Sequence, residues 1–139
     1  MREILFRAKT KMIVGTYNCG KEDGEWVMGC LYHDVGKWII RQFELDRADY
    51  VGYEVDPETI CQYVDFDDKD GKKIFENDIC EMVYDGEVHT YVVVWDKSEL
   101  DFKGTNGKEN YGREFEYLSC CDEVVIVGNL FDNPELMGK

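Results

Sequence analysis

The chain has 139 residues, 44% of them apolar and 33% charged. That is the make-up of a globular domain that buries roughly 68–70% of its unfolded surface and needs neither metal nor disulfide to fold. Lys and Arg number 16 against 30 Asp and Glu, a net charge of −14. Such a surface repels phosphate backbones and anionic lipid, which argues against direct nucleic-acid binding and against a membrane surface as partner.

No run of about 18 apolar residues is present to span a bilayer. Met1-Arg2-Glu3-Ile4 carries no apolar export segment, so the expected location is cytoplasmic. The acid is unevenly spread: residues 44–70 hold ten Asp or Glu and two Lys or Arg. The plainer reading is a solvated, soluble face. The sharper one is a decoy of DNA that occupies a nucleic-acid-binding protein.

The six cysteines are Cys19, Cys30, Cys61, Cys80, Cys120 and Cys121. None lies in a C-x-x-C pair, so the spacing gives no zinc site. They read as reduced thiols rather than a disulfide framework.

In chain order, Ile4-Leu5-Phe6-Arg7-Ala8 and Met12-Ile13-Val14-Gly15-Thr16-Tyr17 read as strands, with Lys9-Thr10-Lys11 as the turn between them. Glu25 to Tyr32 follows as a strand opened by Asp23-Gly24. Trp38 to Leu45 fits either a strand or a short helix. Asp56-Pro57-Glu58 starts a helix of about one turn: Asp caps, Pro sits at the first helical position, and Glu meets the positive end of the dipole.

Asp70-Gly71 reverses the chain between Gln62-Tyr63-Val64 and Lys73-Ile74-Phe75. Ile79 to Tyr84, then Asp85-Gly86, then Val88 to Trp95 is the clearest hairpin. Residues 97–112 are polar around Asn106-Gly107 and are expected to form a mobile loop. Glu114 to Leu118 and Val124 to Leu130 give two more strands, with adjacent Cys120 and Cys121 expected on opposite faces of a strand. Asn133-Pro134-Glu135-Leu136 closes as a turn or frayed helix. Many short strands with Gly-containing turns and little helix argue for a mainly β fold, a small barrel or roll. A split would set an amino-terminal β layer, 1–54, apart from a barrel-like body, 55–139.

Several patterns imitate catalytic or metal motifs and fail on spacing. His33-Asp34 is the dipeptide of metal-dependent phosphohydrolases, but the remaining ligands and the helices to carry them are missing, which leaves a polar turn. Asp65 to Gly71 resembles a calcium loop, yet Phe66 and Asn77 stand where that loop needs ligands. Only Ser98 and Ser119 could serve a serine mechanism, and no nucleophile elbow surrounds either. Cys80 and His89 could meet across the 79–95 hairpin, though two strand residues meeting by chance is the simpler account.

Val55-Asp56-Pro57-Glu58-Thr59-Ile60-Cys61-Gln62-Tyr63-Val64 and Asp67-Asp68-Lys69-Asp70-Gly71-Lys72-Lys73-Ile74-Phe75-Glu76-Asn77-Asp78-Ile79 resemble the central segment of the YopX family. Arg2 to Ala8 is similar to that family's opening strand, and Val125 to Leu136 to its closing strand and tail. The resemblance implies a phage or prophage setting and a β-rich, barrel-like carboxy-terminal part similar to SH3-type rolls, as one domain over 1–139. It implies no activity. Asn77 stands where the family pattern favours Gly, a position Asn tolerates. Val64-Asp65 replaces its Thr-Gly.

Three Trp, nine Tyr and seven Phe exceed what a small barrel must bury, and exposed rings mark contact surfaces. The candidate interaction surface is Trp26, Trp38, Tyr50 and Tyr53 with Asp65, Asp67, Asp68 and Asp70. No catalytic residue, cofactor or metal is expected. The expected role is a non-enzymatic module that binds a protein or itself. The rivals are an acidic DNA mimic and, further back, a small hydrolase.

Overall fold

A computed structural model describes residues 2–11, 21–106 and 115–138. The strand expected at Met12 to Tyr17, Cys19, and the distal part of the expected polar loop lie outside them. The chain divides into two compact units, Met1–Tyr63 and Val64–Lys139.

The first unit holds β1 (Phe6–Lys9), β2 (Trp26–Asp34), β3 (Lys37–Glu44), β4 (Asp49–Glu54) and the start of β5 (Cys61–Asp67), which runs on into the second unit. The strand order is β4-β3-β2-β1-β5, with β6 (Lys73–Phe75) next to β5. Ala8, Val27, Ile40, Tyr53 and Val55 form the core, with Phe6, Leu31, Trp38, Val51 and Ile60 packed on it. These side chains alternate along their strands, as period-2 patterning requires. The ambiguous Trp38 segment is therefore a strand, and β4, which the sequence left unread, is another.

Strand β2 changes partner at Gly29, from β1 to β3. A Cβ there would lie 1.9 Å from the Arg41 carbonyl oxygen, so only glycine lets the two backbones approach. The β2–β3 hairpin closes through Val35 and Gly36, at φ 46° and 77°. A two-residue reversal of this hand needs both residues left-handed. Val35 is a costly choice for it, since branched side chains crowd that conformation.

Lys9-Thr10-Lys11 does not turn. Thr10 bridges Val55, donates its N–H to the Glu25 carbonyl at 2.8 Å, and is 1% exposed. Its hydroxyl donates to the Glu22 carbonyl and accepts from the Glu25 N–H, so this polar side chain is satisfied inside. The expected helix start is a 3-10 turn, Pro57–Thr59, capped by Asp56, whose carboxylate accepts the Glu58 N–H at 3.0 Å.

The second unit is built on β7 (Asp78–Tyr84), β8 (Glu87–Asp96), β9 (Asp101–Thr105), β10 (Phe115–Tyr117) and β11 (Glu123–Asn129), ordered β10-β9-β8-β7-β11. Asp85 and Gly86, at φ 50° and 80°, close the β7–β8 hairpin as expected. Ile74, Cys80, Met82, Tyr91, Val93, Leu118 and Val124 make the core. Gly71 takes φ 82° at its reversal. Both departures from the family pattern keep the backbone a glycine would take: Asn77 has φ 69° and Asp65 φ 59°.

Three expectations are corrected here. Among the described residues the strands form two antiparallel sheets and no closed barrel. The polar loop contains β9, whose Lys103 and Thr105 are each 1% exposed. Cys120 and Cys121 sit in and after a 3-10 turn, Leu118–Cys120, rather than on a strand. A last 3-10 turn, Pro134–Met137, ends at Gly138 in the left-handed region. No helix among the described residues is long and apolar enough to cross a membrane.

Candidate protein-contact surface

Alternation decides which rings leave the core of the first unit. With Val27, Leu31, Ile40, Val51 and Tyr53 turned inward, their neighbours Met28, Cys30, Tyr32, Ile39, Arg41, Phe43 and Tyr50 take the other face. The pairings arrange them in rows across the sheet. Tyr32 lies opposite Ile39 and Ile39 opposite Glu54; Cys30 opposite Arg41 and Arg41 opposite Gly52; Phe43 opposite Tyr50. Met28, Tyr32, Phe43 and Tyr50 are 40–54% exposed. Phe43 and Tyr50 meet edge to face with centroids 5.3 Å apart, and the Arg41 guanidinium lies 5.5 Å from the Tyr50 ring. Such contacts hold the rings upright at modest energy and leave their outer sides open.

The residues expected to form the contact surface divide between the two units. Tyr50 belongs to this exposed face. Trp26 is half-buried beside Arg7, whose guanidinium is 4.8 Å from its ring. Trp38 packs on the core and stacks against His33 at 4.4 Å. Tyr53 is a core residue, 2% exposed, and its hydroxyl donates to Glu44 Oε1 at 2.6 Å. That bond, followed by the Gln42 amide, holds the Glu44 carboxyl below its ordinary value.

In the second unit Asp65, Asp67 and Asp70 are exposed, but Asp68 is 6% exposed and structural. Asp68 Oδ1 accepts the Asp70 and Lys72 N–H groups at 2.9 Å each, and Oδ2 accepts the Ile126 N–H at 3.2 Å. Burial pushes its carboxyl up, and these three donors outweigh it to leave it below its usual range. Asp67 and Asp68 line a hollow of about 170 Å³ with Lys69, Cys121, Asp122 and Glu123. That is well short of the roughly 300 Å³ at which small-molecule pockets begin.

The β7–β8 register sets Cys80 opposite Tyr91 and His89 opposite Met82, so Cys80 and His89 are diagonal neighbours rather than directly opposed. Among the described residues no three His, Cys, Asp or Glu side chains gather to hold a metal. The Cys121 thiol is pushed up to about 11 by burial, then by the nearby charge of Glu116, and stays protonated at neutral pH.

The sequence missed Met28, Tyr32, Arg41 and Phe43. The signal lay in the alternation of Ile39, Arg41 and Phe43 against Trp38, Ile40 and Gln42, usable only once the segment is known to be a strand. It missed Lys103 as well. That ammonium is held by Asp96 Oδ2 at 2.8 Å and Glu99 Oε1 at 2.9 Å, with the Phe115 and Tyr117 rings at 4.2 and 5.1 Å. The Tyr117 hydroxyl donates to Glu99 Oε2 at 2.5 Å, which raises the tyrosine and lowers the carboxyl.

No curated protein matches this chain. The family model described as YopX protein matches residues 7–138. That span takes in both units and nearly the whole length, and the chain belongs to the YopX family.

Proposed function

We propose that this chain is a phage or prophage accessory protein that works in the cytoplasm of a bacterial host by binding a protein, without catalysis. The observation that carries the reading is the outward face of β2, β3 and β4. Phe43 and Tyr50 stand there 46% and 54% exposed, in a unit that already has a full core. Large rings left in water cost solubility, and clusters of them with an arginine are the usual anchors of protein interfaces. The strong negative charge would orient partners and keep nucleic acid away.

The test is retention of host proteins, from lysate of infected or lysogenic cells, on the immobilised full chain and on its F43E/Y50E variant. A partner, whether a host protein or this chain itself, held through 0.5 M salt by the native chain and lost by the variant is the expected result. A partner released by salt alone and bound equally by the variant overturns the reading. It would point instead to the acidic surface and a DNA-mimic role, since charge-driven binding is screened within about a Debye length.

A further inference from the structure

We infer that the occupant of this face is a second copy of the same chain, in a two-fold contact; the inference rests on the reading above. Two copies carrying −14 each repel one another across any acidic surface. The outward face of β2–β3–β4 is where that objection is smallest. The charged side chains that share it are Lys37 and Arg41 against Asp34 and Glu54, which balance. Lys37 Nζ lies 3.8 Å from Glu54 Oε1, and Arg41 lies over Tyr50. A foreign basic partner would find better complements elsewhere on this chain. A like-charged copy would not.

The relief of the face also suits self-contact. In a two-fold interface the same patch must fit itself. Here the middle row runs Cys30, Arg41 and Gly52 between the Tyr32–Ile39 row and the Phe43–Tyr50 row, and the Arg41 guanidinium is drawn aside to 5.5 Å from the Tyr50 ring. At Gly52 an added Cβ would come within 3.4 Å of the Tyr32 hydroxyl and 3.3 Å of Ile39 Cγ2, so these two side chains close over the glycine. A two-fold axis along the middle row sets the ring row of one copy against the Tyr32 and Ile39 row of the other and brings both Cys30 thiols to the centre. Cys30 is exposed and free.

Two measurements on the full chain in reducing buffer test this. Sedimentation equilibrium should give a dimer for the native chain. F43E/Y50E should dissociate at least about tenfold more readily, as loss of a central anchor predicts. Y50K, a single change at an exposed ring, should weaken the dimer in the same direction and guards against misfolding of the double variant. After the reductant is removed, a short bis-maleimide should join two chains in the native protein and in C120S but not in C30S. A native monomer whose host partner is still lost in F43E/Y50E overturns the second-copy inference and leaves the binding reading intact. A dimer indifferent to these variants, or cross-linked equally well in C30S, places the contact elsewhere and overturns it too.

Discussion

Asp68→Ala is expected to destabilise the second unit by about 1–3 kcal/mol in urea denaturation, the cost of leaving three part-buried donors without their acceptor. The carboxylate accepts from the Asp70, Lys72 and Ile126 N–H groups, so it ties the reversal before β6 to β11. The backbone adds its own closure, with Asp68 N–H to the Lys72 carbonyl at 2.7 Å and Gly71 N–H to the Asp68 carbonyl at 3.0 Å. These bonds fix the loop but do not replace the carboxylate. Asp68→Asn keeps one acceptor oxygen and should cost less.

The pH dependence has a definite sign. The folded Asp68 carboxyl sits below its ordinary 3.8, so its contribution is complete above that value. It is lost as pH falls from there through the folded value. Native protein should therefore lose stability in that acid range more steeply than Asp68→Asn. Equal acid profiles for the two would show that the carboxylate's charge is not what the three donors hold.

Lys103→Ala is expected to cost more, about 3–5 kcal/mol, because removing one member of a buried ion pair strands the other. The Lys103 side chain is 1% exposed and that of Asp96 12%. Asp96 also accepts the Ser98 N–H at 2.9 Å and the Glu99 N–H at 3.2 Å, so it organises the turn between β8 and β9. The Lys103 ammonium also lies 4.2 and 5.1 Å from the Phe115 and Tyr117 rings, so truncation is expected to remove packing at β10 as well. Lys103→Met fills the stem without the charge and should recover part of the loss. Denaturation midpoints of the three proteins separate packing from pairing, and an unchanged midpoint in Lys103→Ala would remove the ion pair from the list of things that hold β9 in place.

These two residues also mark how far the sequence could be read. The β7–β8 hairpin, the Asp56 cap and the Gly71 reversal rest on chemistry local to a few residues, and all are found where that chemistry places them. Lys103 depends on Asp96, Glu99 and two rings that arrive from other parts of the chain, so a polar stretch read as a loop is a strand. Asp68 looked like surface charge because its donors include Ile126, 58 residues away. Tyr53 looked like a surface ring because neither its place opposite Ile40 nor its bond to Glu44 has a sequence pattern. Strand β4 alternates correctly, Val51 and Tyr53 inward against Tyr50 and Gly52, but a glycine within an acidic stretch hides the period. Of the contact face, Tyr50 was legible from its residue type. Phe43, Tyr32 and Arg41 needed the register of β3.

The central claim is that the rings outside β2, β3 and β4 serve contact with another molecule and are surplus to folding. The most direct measurement is the urea-unfolding free energy of F43E/Y50E at a concentration low enough to keep the native chain monomeric. The rings touch each other on the solvent side of a sheet, a cross-strand pair worth roughly 0.2–1 kcal/mol. A loss within about 1 kcal/mol, with cooperativity kept, is the predicted result. A loss of about 3 kcal/mol or more would show that Phe43 and Tyr50 belong to the core and would contradict the claim.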